Sequence, residues 1–183
     1  MAERSQTGTI EDAVKNPRLQ ALVRYWHSKR DGRSIPSRQR IDPIEIPRIL
    51  PIVLMADVTT TGARMRLLGT DTTATYGQET RGKWVHEFKF GEFTTVWLEA
   101  FAQVTRSGIS ACAHGRYCSG TQHYAIETVL MPLSNDSLSV THVFGGLAIS
   151  HLPLSNSIER ELLKPSIHLA GEVMFPKALQ RQQ

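Results

Sequence analysis

Cysteine is scarce in this chain: Cys112 and Cys118 are the two among 183 residues, which excludes the disulfide framework on which small secreted domains rely. Long apolar runs are also missing. The longest, from Ile49 to Val58, is interrupted by Pro51 and Asp57 and falls well short of the roughly 20 residues that a membrane-spanning helix needs. Nothing at the amino terminus has the basic-then-apolar layout of a secretory leader, so a reducing cytoplasm is the expected location and no membrane partner is expected. Catalytic signatures are absent as well. The seven histidines come with no Gly-x-Ser-x-Gly elbow, phosphate loop, helical pair of zinc histidines or dinucleotide-binding turn. No catalytic residue, and no enzyme activity, is expected.

What is present suffices for one folded unit. The length is that of a single domain of roughly 100–200 residues, and 40% apolar against 21% charged residues is the composition of an ordinary globular chain. The net charge of +4 is unevenly placed. Residues 1–50 hold ten Lys/Arg against six Asp/Glu, and the remainder is balanced. Within that segment Arg24, Lys29, Arg30, Arg33, Arg38, Arg40 and Arg48 are interrupted by Asp31, Asp42 and Glu45. This is the pattern of a solvated, salt-bridged surface without a nucleic-acid reading element, which leaves weak nucleic-acid binding through residues 24–48 as an alternative role beside that of a structural protein-interaction adaptor with a self-filled cavity.

Residues 1–15 read as a flexible arm or a short peripheral helix. A firm helix starts at Asn16-Pro17, an N-cap followed by proline at the first helical position. Leu19, Leu22, Val23 and Trp26 then recur on one stripe, which is either a dimer or partner surface or the face that packs on the chain's own sheet. Pro36, Pro43, Pro47 and Pro51 make the stretch to residue 50 an extended connector. From Ile52 the pattern is a hairpin turning at Thr60-Thr61-Gly62, then short helices broken at Gly77 and Gly82. A long helix follows with Phe93, Val96, Trp97, Ala100, Phe101 and Val104 on one face, closed by Gly108. Three period-two strands come next, turning at Ser119-Gly120-Thr121 and Asn135-Asp136. The expected class is α+β: a five-stranded antiparallel sheet with helices on one face, spanning residues 51–146. A carboxy-terminal extension over 147–183 holds one extended piece and a helical patch at Ile158 to Leu163.

Particular strings sharpen this. Tyr25-Trp26, Arg30, Gly32-Arg33, Pro36 and Arg38 lead into Ile41-Asp42-Pro43, Ile46-Pro47 and Ile49-Leu50-Pro51. Farther on stand Arg66-Leu67-Leu68-Gly69-Thr70, Tyr76-Gly77, Thr80-Arg81-Gly82 and Met131-Pro132-Leu133-Ser134. Together they resemble a bacterial, alphaproteobacterial-type family of single-domain PAS-like proteins. The resemblance implies a cytoplasmic sensory or regulatory domain without catalytic output, acting on a separate signalling protein. It further implies a small-ligand site between the sheet and the segment 70–106 that covers it.

The candidate ligand-binding residues are Arg66, Tyr76, Trp84, Trp97, Phe101, His114, Arg116 and Tyr124. His114 and Arg116 are expected to meet Tyr124, Ile126 and Glu127 across a strand pair, either as a polar cluster of the pocket or as an Arg116–Glu127 salt bridge on the solvent face. Arg66 has Asp57 or Glu87 as its expected ion partner. No cofactor is expected: the covering helix Gly91–Ser107 offers no histidine for haem, and residues 70–106 offer no cysteine for a flavin adduct. Cys112, His114, Arg116 and Cys118 alternate onto one strand face, but without the tight Cys-x-x-Cys turn of structural zinc, so no metal site is assigned.

Overall fold

The computed structural model describes residues 3–5, 9–77, 80–119, 121–136, 138–152 and 165–170. Its frame is one sheet built from β1 (Glu3–Ser5), β2 (Val53–Thr59), β3 (Gly62–Leu68), β4 (Ser110–Ser119), β5 (Gln122–Leu133), β6 (His142–Leu152) and β7 (Ser166–Ala170). The spatial order is β1-β7-β4-β5-β6-β2-β3. Six strands pair antiparallel, and short β1 joins β7 in parallel. The five strands read from the sequence are therefore present, and β7 widens the sheet by pairing with β4 from Ser110↔Ala170 to His114↔Ser166. Strand β6 runs unbroken through Gly145-Gly146. The helical patch at Ile158 to Leu163 lies outside the described residues.

The helices of the core cover one face of the sheet, as expected, and the amino-terminal helices cover the other. On the inner face lies α4 (Phe93–Ser107), whose apolar stripe is buried along its whole length and whose end is set by Gly108 in the left-handed region. The short α3 (Thr70–Tyr76) closes the same side. On the outer face lie α1 (Ile10–Ala13) and α2 (Pro17–Ser28). Thr9 and Asp12 cap α1 reciprocally, and Ile10 and Val14 are buried, so of the two readings for residues 1–15 the structure takes the short helix there. Asn16 caps α2 by accepting from the Arg18 N–H.

Of the two readings of the α2 stripe, the structure takes the packing on the chain's own sheet. Leu19, Leu22 and Val23 are 0% exposed and Trp26 3%, packed with Val53, Met55, Val129, Met131 and Phe144 of their own sheet. The Trp26 indole N–H donates to the Pro132 carbonyl at 2.9 Å. These side chains are interior, so they form no dimer or partner surface. Two glycines let the helices approach. A Cβ on Gly146 would stand 2.6 Å from Leu19 Cδ2, and one on Gly115 would stand 2.6 Å from Phe93 Cδ2. Each is closer than nonbonded carbons tolerate, so a side chain there would force Leu19 or Phe93 to move on opposite faces.

The connector after α2 continues on the outer face in single 3-10 turns at Arg38–Arg40, Pro43–Glu45 and Leu50–Ile52, the first two capped by Ser37 and Asp42, with Ile41, Ile46 and Ile52 buried there. Three of the basic side chains between Arg24 and Arg48 form ion pairs among the described residues: Arg24 with Glu11, Lys29 with Glu45 and Arg40 with Asp31. The β5–β6 turn is organised by Asp136, which accepts from the Leu138 and Ser139 N–H groups and from the Ser134 and Ser139 hydroxyls. Those backbone donors hold its carboxyl well below its ordinary 3.8. A carboxyl depressed in the folded state binds protons preferentially when unfolded, so its contribution is complete above about pH 4 and lost as pH falls further. The melting temperature should drop more steeply below pH 4 in the wild type than in Asp136→Asn; parallel profiles would remove the turn from the acid response.

Candidate functional site

Between the sheet and α4 the chain has filled the space with its own rings. Phe88, Phe90, Phe93 and Trp97 are fully buried. Trp97 meets Phe101 at 4.7 Å and Phe90 at 5.2 Å between centroids, and its indole N–H donates to the Val85 carbonyl. Phe90 meets Tyr117 at 5.7 Å and Tyr76 at 5.2 Å, and Tyr117 stacks on Tyr124 at 6.0 Å. Edge-to-face and offset pairs at these distances contribute beyond area burial. Of the candidate ligand residues, then, Tyr76, Trp97, Phe101 and Tyr124 do gather on the inner face, as parts of a packed interior.

The remaining four sit elsewhere. Arg66 is exposed and its guanidinium pairs with Asp57, the partner read from the sequence. The Asp57 carboxylate also faces His142, whose imidazole burial holds below its ordinary pKa. Trp84 is half-buried at the inner edge, with the Arg64 guanidinium over its ring at 5.6 Å. Arg116 lies on β4 two residues beyond the His114↔Ser166 pair and reaches Glu92 at 3.0 Å. The expected Arg116–Glu127 bridge is therefore not formed.

The expected cross-strand cluster divides between the two faces. Ala113, Gly115 and Tyr117 point inward, so Cys112 and His114 point outward under α1; across the pair, Tyr124 and Ile126 point inward and Glu127 outward. Glu127 accepts from the Lys15 N–H at 2.6 Å and the Asn16 N–H at 3.0 Å, and its carboxylate meets His114 Nε2 at 3.2 Å. One carboxylate thus fixes the α1–α2 link to the sheet.

Beside the packed interior lies an open groove of about 620 Å³ between the tip of the β2–β3 hairpin, the turn at Val85-His86 and α4. Val58, Ala63, Val85, Leu98, Phe101 and Ala102 give it apolar walls. Thr59, Thr105 and Arg106 stand at its polar rim. Sequence reading found Phe101 and missed the rest. The signal was a second stripe on the long helix, Leu98, Ala102 and Thr105, beside the interior stripe at positions four and three residues apart.

A single antiparallel sheet ordered β4-β5-β6-β2-β3, crossed on its inner face by one long helix, is the frame of a sensory α+β domain. The chain belongs to the family described as PAS domain, which it matches over residues 14–148. Solved structures similar to it include the PAS domain from Bordetella pertussis BvgS, at 15% identity and a TM-score of 0.44, covering 67% of this chain and 95% of that one. Another is an RNA-binding Light-Oxygen-Voltage receptor, at 17% identity and a TM-score of 0.41, covering 69% of this chain and 37% of that one. No curated protein matches the sequence. Among the described residues no helix is long and apolar enough to cross a membrane.

Proposed function

We propose that this PAS domain is a non-catalytic cytoplasmic sensor that binds a small amphipathic molecule in the groove beside α4 and passes the signal to a separate protein. The observation that carries the reading is the contrast between the two spaces. The sheet–helix interior is occupied by Phe88, Phe90, Trp97 and Tyr117, whereas the groove has the volume of a small-ligand site and apolar walls beneath a polar rim of threonines, His86 and Arg106. Arg106 at the rim favours a ligand with an anionic head.

The dye 1-anilinonaphthalene-8-sulfonate, apolar with one sulfonate, is a suitable probe. It should bind the folded protein at one site, and Ala102→Trp, which fills the groove, should weaken binding at least tenfold with the melting temperature retained. Equal binding to both proteins would contradict the groove as a site. The packed interior also supports a second reading, a protein-interaction adaptor with a self-filled core, which predicts no saturable dye binding to either protein.

A further inference from the structure

The outer face of the sheet carries a cluster that the groove does not use. Cys112 and His114 stand two residues apart on β4, Glu127 lies opposite His114 on β5, and His168 lies opposite Cys112 on β7. Strand alternation puts all four on the face covered by α1. Cys112 Sγ is 3.8 Å from His114 Nε2, and that nitrogen is 3.2 Å from Glu127 Oε1. The sulfur, nitrogen and oxygen donors all fall within 4.8 Å of one another. The His168 ring packs edge-on against that of His114 with centroids 5.8 Å apart. Cys112 and His114 are buried and Glu127 nearly so.

We infer that Cys112, His114 and Glu127 form a binding site for a zinc-class divalent ion, with the fourth position left to water. Zinc bonds of about 2.3 Å to sulfur and 2.0–2.2 Å to nitrogen or oxygen give tetrahedral edges of roughly 3.3–3.6 Å, close to the two spacings observed. One thiolate, imidazole nitrogen and a carboxylate suit zinc better than magnesium or calcium, which prefer oxygen. Tight Cys-x-x-Cys spacing is not required, because the sheet register supplies the convergence that a turn supplies elsewhere. Burial, and then the Glu127 charge, push the Cys112 thiol well above its ordinary pKa. Coordination exchanges its S–H bond for a sulfur–metal bond, and the proton passes to solvent. Glu127 also holds the Lys15 and Asn16 N–H groups, so occupancy of the site is coupled to the docking of α1 and α2.

The site stands independently of the groove, and the test separates them. Full-length protein without a histidine tag, stripped with chelator, is titrated with Co²⁺ and followed by absorbance. One equivalent should bind with a thiolate-to-cobalt charge-transfer band and a tetrahedral visible spectrum, both displaced by Zn²⁺. Cys112→Ser should lose the charge-transfer band while Cys118→Ser retains it, and His114→Ala should weaken binding beyond the roughly 10- to 100-fold cost of an outer-shell change. Should a variant misfold, the wild-type spectrum still decides. Absence of a charge-transfer band with Co²⁺ in excess, or a band that survives Cys112→Ser and disappears with Cys118→Ser, would overturn the assignment.

Discussion

Replacing Trp97 with alanine is expected to lower the free energy of unfolding by about 3–5 kcal/mol, the cost of removing a large buried ring whose site collapses only partly. Trp97 is fully buried among Phe88, Phe90 and Phe101, so a sizeable apolar void remains. Such a void stays dry and accepts an apolar guest of matching shape. Indole at about millimolar concentration should therefore restore part of the lost melting temperature in Trp97→Ala and leave the wild type unchanged, because the intact interior has no room for it. A cost below about 1 kcal/mol, or equal stabilisation of wild type and variant by indole, would mean that the space under α4 is already open.

The second large effect is expected on the opposite face. Trp26→Ala removes a 3% exposed ring from the contact between α2 and the sheet, again at about 3–5 kcal/mol. It also strands the Pro132 carbonyl, adding on the order of 1 kcal/mol. Since domains of this size have only about 5–15 kcal/mol in total, the variant should unfold at a much lower urea concentration. The solution mass separates this account from a dimer-surface role: any change should accompany loss of fold. A well-folded Trp26→Ala protein of normal stability and halved mass would show that the stripe holds two copies together.

The elements that could be read directly were those with one wet face and a marked end. Helix α4 carries an uninterrupted apolar stripe and stops at Gly108, and α2 starts at Asn16-Pro17 as its cap residues indicate but ends at Ser28, short of the Gly32 stop. The hairpin at Thr60 to Gly62 likewise sits where its turn residues place it. The strands were harder to orient because helices cover both faces. In β5, Val129 to Leu133 is buried without alternation, and a strand buried on both sides gives no sign of which side is inner. That is why His114, Tyr124 and Glu127 looked like one cluster and are two.

Contacts between distant segments were beyond sequence reading for a different reason. Glu127 binds backbone N–H groups more than a hundred residues earlier, and a backbone donor has no residue type to betray it. Strand β7 gives no readable signal although Ile167 is fully buried, since five residues after a proline make too short a pattern. The Arg116–Glu92 pair joins β4 to the residue before α4, a tertiary fact. By contrast, the aromatic residues under α4 were found because large rings on a helix stripe have few places to go but inward.

The central claim is that the PAS interior is closed by the protein's own rings and that recognition lies in the groove beside α4. A crystal structure of protein purified without denaturation tests it most directly. The account predicts side-chain density for Phe88, Phe90, Trp97 and Tyr117 in mutual contact, with any bound molecule lying against Leu98 and Ala102. Density for a foreign group between the sheet and α4, with those rings swung aside to receive it, would contradict it.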